Sequence, residues 1–178
     1  VNMDCLSEAL QMLVKRHEVL RTTFATDEDS ISYQVIHNEP LEIVCETVDE
    51  NLLAEKLDAA SSTIFDLTEM YPVKVWIYSI PKTSRTLLMC VFHHVAFDEW
   101  SSGVFFSELE ACYQALIHEE APVLSDLPIQ YKDFAAWQQT YLSGTRMSDL
   151  LSYWTDKLAG AEVCVLSTDY TRPVRFDY

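Results

Sequence analysis

Three observations in the 178-residue sequence predict an α/β fold, a mixed β-sheet flanked by helices. Short runs rich in Val, Ile, Tyr and Phe are interleaved with longer stretches whose apolar residues recur every three or four positions, so strands and helices alternate along the chain. Residues 87–92 are apolar almost throughout, the pattern of a strand covered on both faces at the centre of a sheet. Apolar residues make up 49% of the chain, enough core material for one domain or one lobe of a larger unit.

The elements follow in order. Leu6, Leu10, Leu13, Val14 and His17 recur at helical spacing from Met3 and predict a helix ending at Arg16-His17-Glu18. At Leu20-Arg21-Thr22-Thr23-Phe24 the chain turns β-branched and aromatic and starts a strand, which the acidic turn Asp27-Glu28-Asp29 separates from a second over 33–37. A third strand is expected over 41–48, where Ile43, Cys45 and Thr47 alternate with Glu42, Val44 and Glu46. Asp49 can cap a helix to about 61, with Leu52, Leu53, Leu57 and Ala60 on one face.

Strands over 73–78 and 87–92 flank the turn Pro81-Lys82-Thr83-Ser84, the second expected at the sheet centre. The stripe Val104, Phe105, Leu109, Cys112, Tyr113, Leu116 and Ile117 predicts a helix over 101–118 whose aromatic residues read as core rather than as a cofactor box. Pro128, at a first helical turn, opens a helix that runs through Trp137 to Leu142 and closes at Ser143-Gly144. A last helix over 148–158 stops at Gly160, a suitable left-handed cap.

Charge narrows the function classes. A formal net charge of −16, from 28 acidic against 12 basic residues, repels phosphate backbones and anionic bilayers, so neither nucleic acid nor membrane is expected as a partner. No run reaches the roughly 18 apolar residues of a membrane span. Cys5, Cys45, Cys90, Cys112 and Cys164 are widely spaced, form no C-x-x-C and lie mostly in apolar segments, as expected of packed, reduced thiols in a cytoplasmic protein.

The chemistry concentrates in Val91-Phe92-His93-His94-Val95-Ala96-Phe97-Asp98-Glu99-Trp100-Ser101, a histidine pair with an aspartate four residues beyond the second, between a strand and a helix. With 5 His and 13 Asp, composition alone yields His-His-x-x-x-Asp with an expectation of about 0.01. One reading has one histidine packed, the other in solvent and Asp98 capping the next helix. The other has a histidine acting as a general base or positioning residue, since imidazole titrates near neutrality without a large shift. A metal site from His93, His94, Asp98 and Glu99 is disfavoured, because adjacent histidines rarely aim at one ion without a distant third ligand.

The surrounding residues make the pattern specific. Arg16-His17-Glu18-Val19-Leu20-Arg21-Thr22-Thr23-Phe24 resembles the R-H-E-x-L-R-T-x-F motif, and His93 to Asp98 the H-H-x-x-x-D-G motif, of condensation domains from nonribosomal peptide synthetases, within the chloramphenicol-acetyltransferase-like fold. Phe65-Asp66-Leu67, Tyr131-Lys132-Asp133-Phe134-Ala135-Ala136-Trp137-Gln138, Tyr153-Trp154 through Leu158-Ala159-Gly160, and Thr168 to Pro173 resemble further motifs of that family in the same order. Glu99 departs from the pattern, which has glycine there. The resemblance covers only the N-terminal lobe, residues 1–178, leaving the C-terminal lobe and the family's first strand outside it.

The resemblance implies a reaction and its residues. A donor acyl or peptidyl thioester and an acceptor aminoacyl thioester, each on the phosphopantetheine arm of a carrier protein, are joined through an amide, with no cofactor bound directly. His94 would accept the proton or hold the amine in line, with His93 supporting the loop. Asp98 would ion-pair with Arg21, a two-pronged bridge that lysine could not reproduce. Ser101 would cap the next helix, and Glu99 and Trp100 would border the substrate channel. Donor and acceptor carrier domains, the C-terminal lobe and an adenylation domain are the implied partners. A coenzyme A-dependent acyltransferase of the same fold and a catalytically silent carrier-docking lobe are the alternatives.

Overall fold

The computed structural model describes residues 1–162 and 169–171. Cys164 and half of the Thr168 to Pro173 match therefore lie outside the described residues. The chain forms two compact units, Val1–Ala135 and Ala136–Tyr178.

The first unit opens with α1 (Met3–Arg16). Asn2 caps it, its Oδ1 accepting from the Asp4 and Cys5 amides at 3.1 and 3.2 Å. Leu6, Leu10, Leu13 and Val14 of the expected stripe are buried, Leu10 and Leu13 fully, while His17 is only partly covered. After it the chain makes a 3₁₀ turn (Glu18–Arg21) before β1 (Thr22–Thr26), so the strand starts two residues later than the β-branched signal suggests. Leu20 is drawn into the core by that turn. β1 pairs antiparallel with β2 (Ser32–Ile36) as a separate two-stranded sheet.

β3 (Ile43–Thr47), β4 (Val73–Ile80) and β5 (Arg85–Phe92) form a three-stranded mixed sheet in the order β3-β4-β5, the first pair parallel and the second antiparallel. The parallel pair is joined through α2 (Leu53–Ser61), ahead of which Asp49 caps a 3₁₀ turn rather than the helix itself. The expected central strand is a correction: among the described residues β4 is central and β5 stands at an edge, every one of its residues partly or largely exposed. An apolar run reports affinity for a buried sheet, and the strand actually flanked on both sides is the alternating β4, whose Val73, Val75 and Ile77 meet the helices.

α3 (Glu99–Ile117) starts two residues earlier than expected. Its inward face is Phe105, Leu109 and Cys112, with Tyr113 and Leu116 packed beside them, while Val104 and Ile117 from the expected stripe are exposed. Spacings of four, three and one follow the 3.6-residue period more closely than the wider stripe read from the sequence. α1 and α3 lie against β4 around one core, and the Asn2 amide donates to the Tyr113 hydroxyl at 2.9 Å.

α4 (Tyr131–Tyr141) begins three residues after Pro128, and Asp133 Oδ2 accepts from the Gln130 amide at 2.8 Å. In the second unit α5 (Gly144–Leu158) starts four residues early, directly from Gly144. Gly144 and Gly160 have φ of +62° and +74°, the left-handed backbone that the sequence predicts at Gly160. Cys5, Cys45, Cys90 and Cys112 are free thiols; Cys112 is buried, burial pushes Cys90 up to about 12, and Cys45 is exposed rather than packed. Among the described residues no helix is long and apolar enough to cross a membrane.

Candidate active site

The site is built on the loop that carries β5 into α3. The His93 amide donates to Pro72 O at 2.9 Å, extending the pairing of β4 and β5 by one residue, and the Ala96 amide closes a turn on His93 O at 3.1 Å. Phe97 folds back over Phe92, ring centroids 3.7 Å apart and planes 7° from parallel. The buried Phe105 ring of α3 meets both edge-on, at 5.1 and 5.9 Å. Strand, loop and helix are thereby clamped by three aromatic rings.

Within this clamp the two histidines have different surroundings. His93 is half-buried, its ring edge-on to Phe65 at 5.9 Å. Its Nδ1 accepts from the Val95 amide at 3.0 Å, which places the proton of the neutral ring on Nε2. His94 is exposed, and its imidazole has no hydrogen-bond partner among the described residues. Asp98 is the N-cap of α3: one oxygen accepts from the Ser101 amide at 2.8 Å and from the Ser101 hydroxyl at 2.6 Å. The Ser101 hydroxyl, then its amide, hold the Asp98 carboxyl below the usual carboxylate range, with a smaller contribution from nearby His94.

Two expected roles are corrected. Ser101 does not cap α3; it donates from the first turn to the cap, which Asp98 supplies, and this is why the helix starts at Glu99. The Arg21–Asp98 ion pair does not form. The 3₁₀ turn aims the Arg21 guanidinium at the ends of α1 and β2, where it donates to His37 O, to Asn38 Oδ1 at 3.2 Å and to Lys15 O at 3.4 Å, with Glu18 at 3.8 Å.

The charge bridge to α3 comes from the other end of the same motif. Arg16 Nε lies 3.2 Å from both Glu108 oxygens, and His17 Nε2 lies 2.6 Å from Oε2. Glu99 occupies the first turn of α3 with an ordinary helical backbone, so the left-handed freedom of glycine is not needed at this position. Its exposed carboxylate suits the positive end of the helix. With Trp100, Gly103 and Val104 it borders an open surface depression.

A family model of the condensation domain matches residues 1–178. The chain belongs to the condensation-domain family. One linear gramicidin synthase polypeptide of Brevibacillus parabrevis is 38% identical over 175 residues, which is 93% of this chain and 3% of that protein. Cyclosporin synthetase of Tolypocladium inflatum is 34% identical over 179 residues, 97% of this chain and 1% of that protein. The crystal structure of the X-domain from teicoplanin biosynthesis superposes with a TM-score of 0.83 at 31% identity, over 97% of this chain and 39% of that one. At 21% identity, the epimerization domain of the third module of tyrocidine synthetase B shares the fold, with a TM-score of 0.80 over 97% of this chain and 40% of that one. The α/β, chloramphenicol-acetyltransferase-like class expected from the sequence is the observed one.

Several condensation-domain motifs contact one another. Phe65 of F-D-L faces His93, while Leu67 O accepts from the Phe24 amide of β1 at 2.8 Å, so that segment links two other motifs. Gln130 donates from Nε2 to Arg16 O at 2.9 Å and accepts from the Glu18 amide at 3.2 Å; Lys132 Nζ lies 2.6 Å from Glu18 Oε2. Glu108 and Gln130 had no mark in the sequence. Each is a common polar residue whose side-chain partners lie about 90 or more positions away.

Because the folded pKa of Asp98 is depressed, its contribution to stability is present above the ordinary carboxylate pKa and is lost as pH falls through the lower folded value. Following the Ser101 amide resonance of this condensation-domain chain by NMR should therefore show a transition below the ordinary aspartate range, which Asp98→Asn abolishes. A transition at or above that range would contradict the cap assignment.

Proposed function

We propose that this chain is the N-terminal lobe of an amide-forming condensation domain in a nonribosomal peptide synthetase, contributing half of a two-lobed active site. The observation that carries the reading is His94, exposed and with no hydrogen-bond partner among the described residues, on a loop held by the Phe92–Phe97 ring stack and the Asp98 cap. The similarity to gramicidin and cyclosporin synthetases supports the substrate class.

In this reading the acceptor amine attacks the donor thioester carbonyl. A C–N bond forms, the C–S bond breaks, and the proton lost by the amine is accounted for on the departing phosphopantetheine thiol. His94 holds the amine in line or relays that proton. Asp98, whose lowered pKa makes it a poor base, fixes the start of α3. Donor and acceptor carrier proteins, a C-terminal lobe and a neighbouring adenylation domain are the partners this requires, and the isolated chain is expected to be inactive.

A docking role is the second reading, favoured by the teicoplanin X-domain, which is solved in complex with OxyB. One experiment separates these readings from a coenzyme A-dependent acyltransferase: the full-length synthetase polypeptide is supplied with both loaded carriers, or with free acyl-CoA, and products are read by mass spectrometry. Amide on the acceptor carrier supports condensation. Turnover with acyl-CoA alone supports the acyltransferase, and carrier binding without product supports docking.

A further inference from the structure

Beside the motif loop lies a cavity of about 170 Å³, between the 3₁₀ turn and the first turns of α3. Its walls are apolar and fixed: Leu20 and Phe105 are 3% and 4% exposed, and Phe97 is held in the aromatic clamp. Val19 and Val104 complete the lining, and Trp100, 86% exposed, stands at the rim. His17 supplies a polar wall; Nε2 is committed to Glu108, and Nδ1 has no partner among the described residues.

Two features distinguish this space from a packing void. Its wall is the motif itself, since Ala96 and Phe97 lie between His94 and Asp98, and Ser101 is bonded to Asp98. Its volume falls below the roughly 300–1,000 Å³ of a pocket for a whole small molecule, and suits one side chain entering from outside. We infer that the cavity is a specificity subsite taking the branched aliphatic side chain, of valine or leucine size, of a carrier-bound aminoacyl or peptidyl substrate, with Val104 at its edge. The inference rests on the condensation reading and adds to it the class of substrate side chain. A preformed apolar wall discriminates a missing methylene by roughly 10–200-fold, which sets the scale of the effect.

The test uses the full-length synthetase polypeptide and compares kcat/KM for leucyl- and alanyl-loaded carriers, varying the donor in one arm and the acceptor in the other. Val104→Phe fills the cavity from an exposed helix position and should lower the leucyl-to-alanyl ratio at least about tenfold in one arm, naming the substrate that enters. Val104→Ala should shift that arm toward phenylalanyl carriers. Val123→Phe, an equal increase in bulk at a 93% exposed residue remote from the loop in sequence, should leave the ratio unchanged. An unchanged ratio in folded Val104→Phe, or an equal change in Val123→Phe, overturns the subsite while condensation stands. Absence of amide from the unaltered protein with every loaded carrier overturns the condensation reading, and the subsite with it.

Discussion

Replacing His94 by alanine is expected to abolish amide formation and leave the fold intact. The imidazole is exposed and makes no hydrogen bond among the described residues, so its removal breaks nothing that holds the loop. Surface changes of this kind fall within about 0.5 kcal/mol of neutral. A positioned acid-base group contributes about 10²–10⁴-fold, so the loss should appear in kcat with the unfolding midpoint unchanged. His93→Ala should behave in the opposite way. It removes the acceptor for the Val95 amide and the edge contact with Phe65, lowering stability as well as rate. Undiminished product formation by well-folded His94→Ala would remove this residue from the mechanism.

What the sequence made legible was local. Helical spacing located α1 and α3, Gly160 marked a left-handed turn, and the histidine pair marked the loop, because each signal is carried by residues a few positions apart. The errors share a cause. An Arg21–Asp98 bridge was expected because both residues stand in motifs, yet a 3₁₀ turn, with no strong sequence signature, rotates Arg21 toward the Lys15 and His37 carbonyls and leaves Arg16 facing α3. β5 was expected in the middle of the sheet because composition reports burial preference rather than strand order. The pairing of Gln11 with Leu41, where the side-chain amide donates to Leu41 O at 2.7 Å and accepts from its N–H at 2.9 Å like an extra strand residue, depends on a 30-residue separation that no local pattern encodes. Glu99 stands where the family pattern has glycine, and the backbone there is helical, so its charged side chain rather than its conformation is what distinguishes it from glycine.

Phe97→Ala is the second change with a large expected effect, and it tests how the loop acquires its shape. The ring touches no proposed reacting atom. It stacks on Phe92 at the end of β5 and meets Phe105 of α3, so it converts the positions of a strand and a helix into the position of the loop between them. Truncation removes a half-buried aromatic side chain and both ring contacts, and should cost about 3 kcal/mol in urea unfolding, the low end for a phenylalanine removed from a core. Phe97→Leu retains most of the apolar volume and loses mainly the ring-ring term, about 1 kcal/mol. If the clamp positions His94, activity should follow the same order: small loss for leucine, and on the order of 10²-fold for alanine, the effect expected of a shift near 1 Å in a reacting group. His94→Ala reduces rate without reducing stability, whereas Phe97→Ala should reduce both, and cooling or a stabilising osmolyte should restore part of the rate only in the second case. An unfolding midpoint unchanged by Phe97→Ala would show that the loop is held by its backbone turns alone.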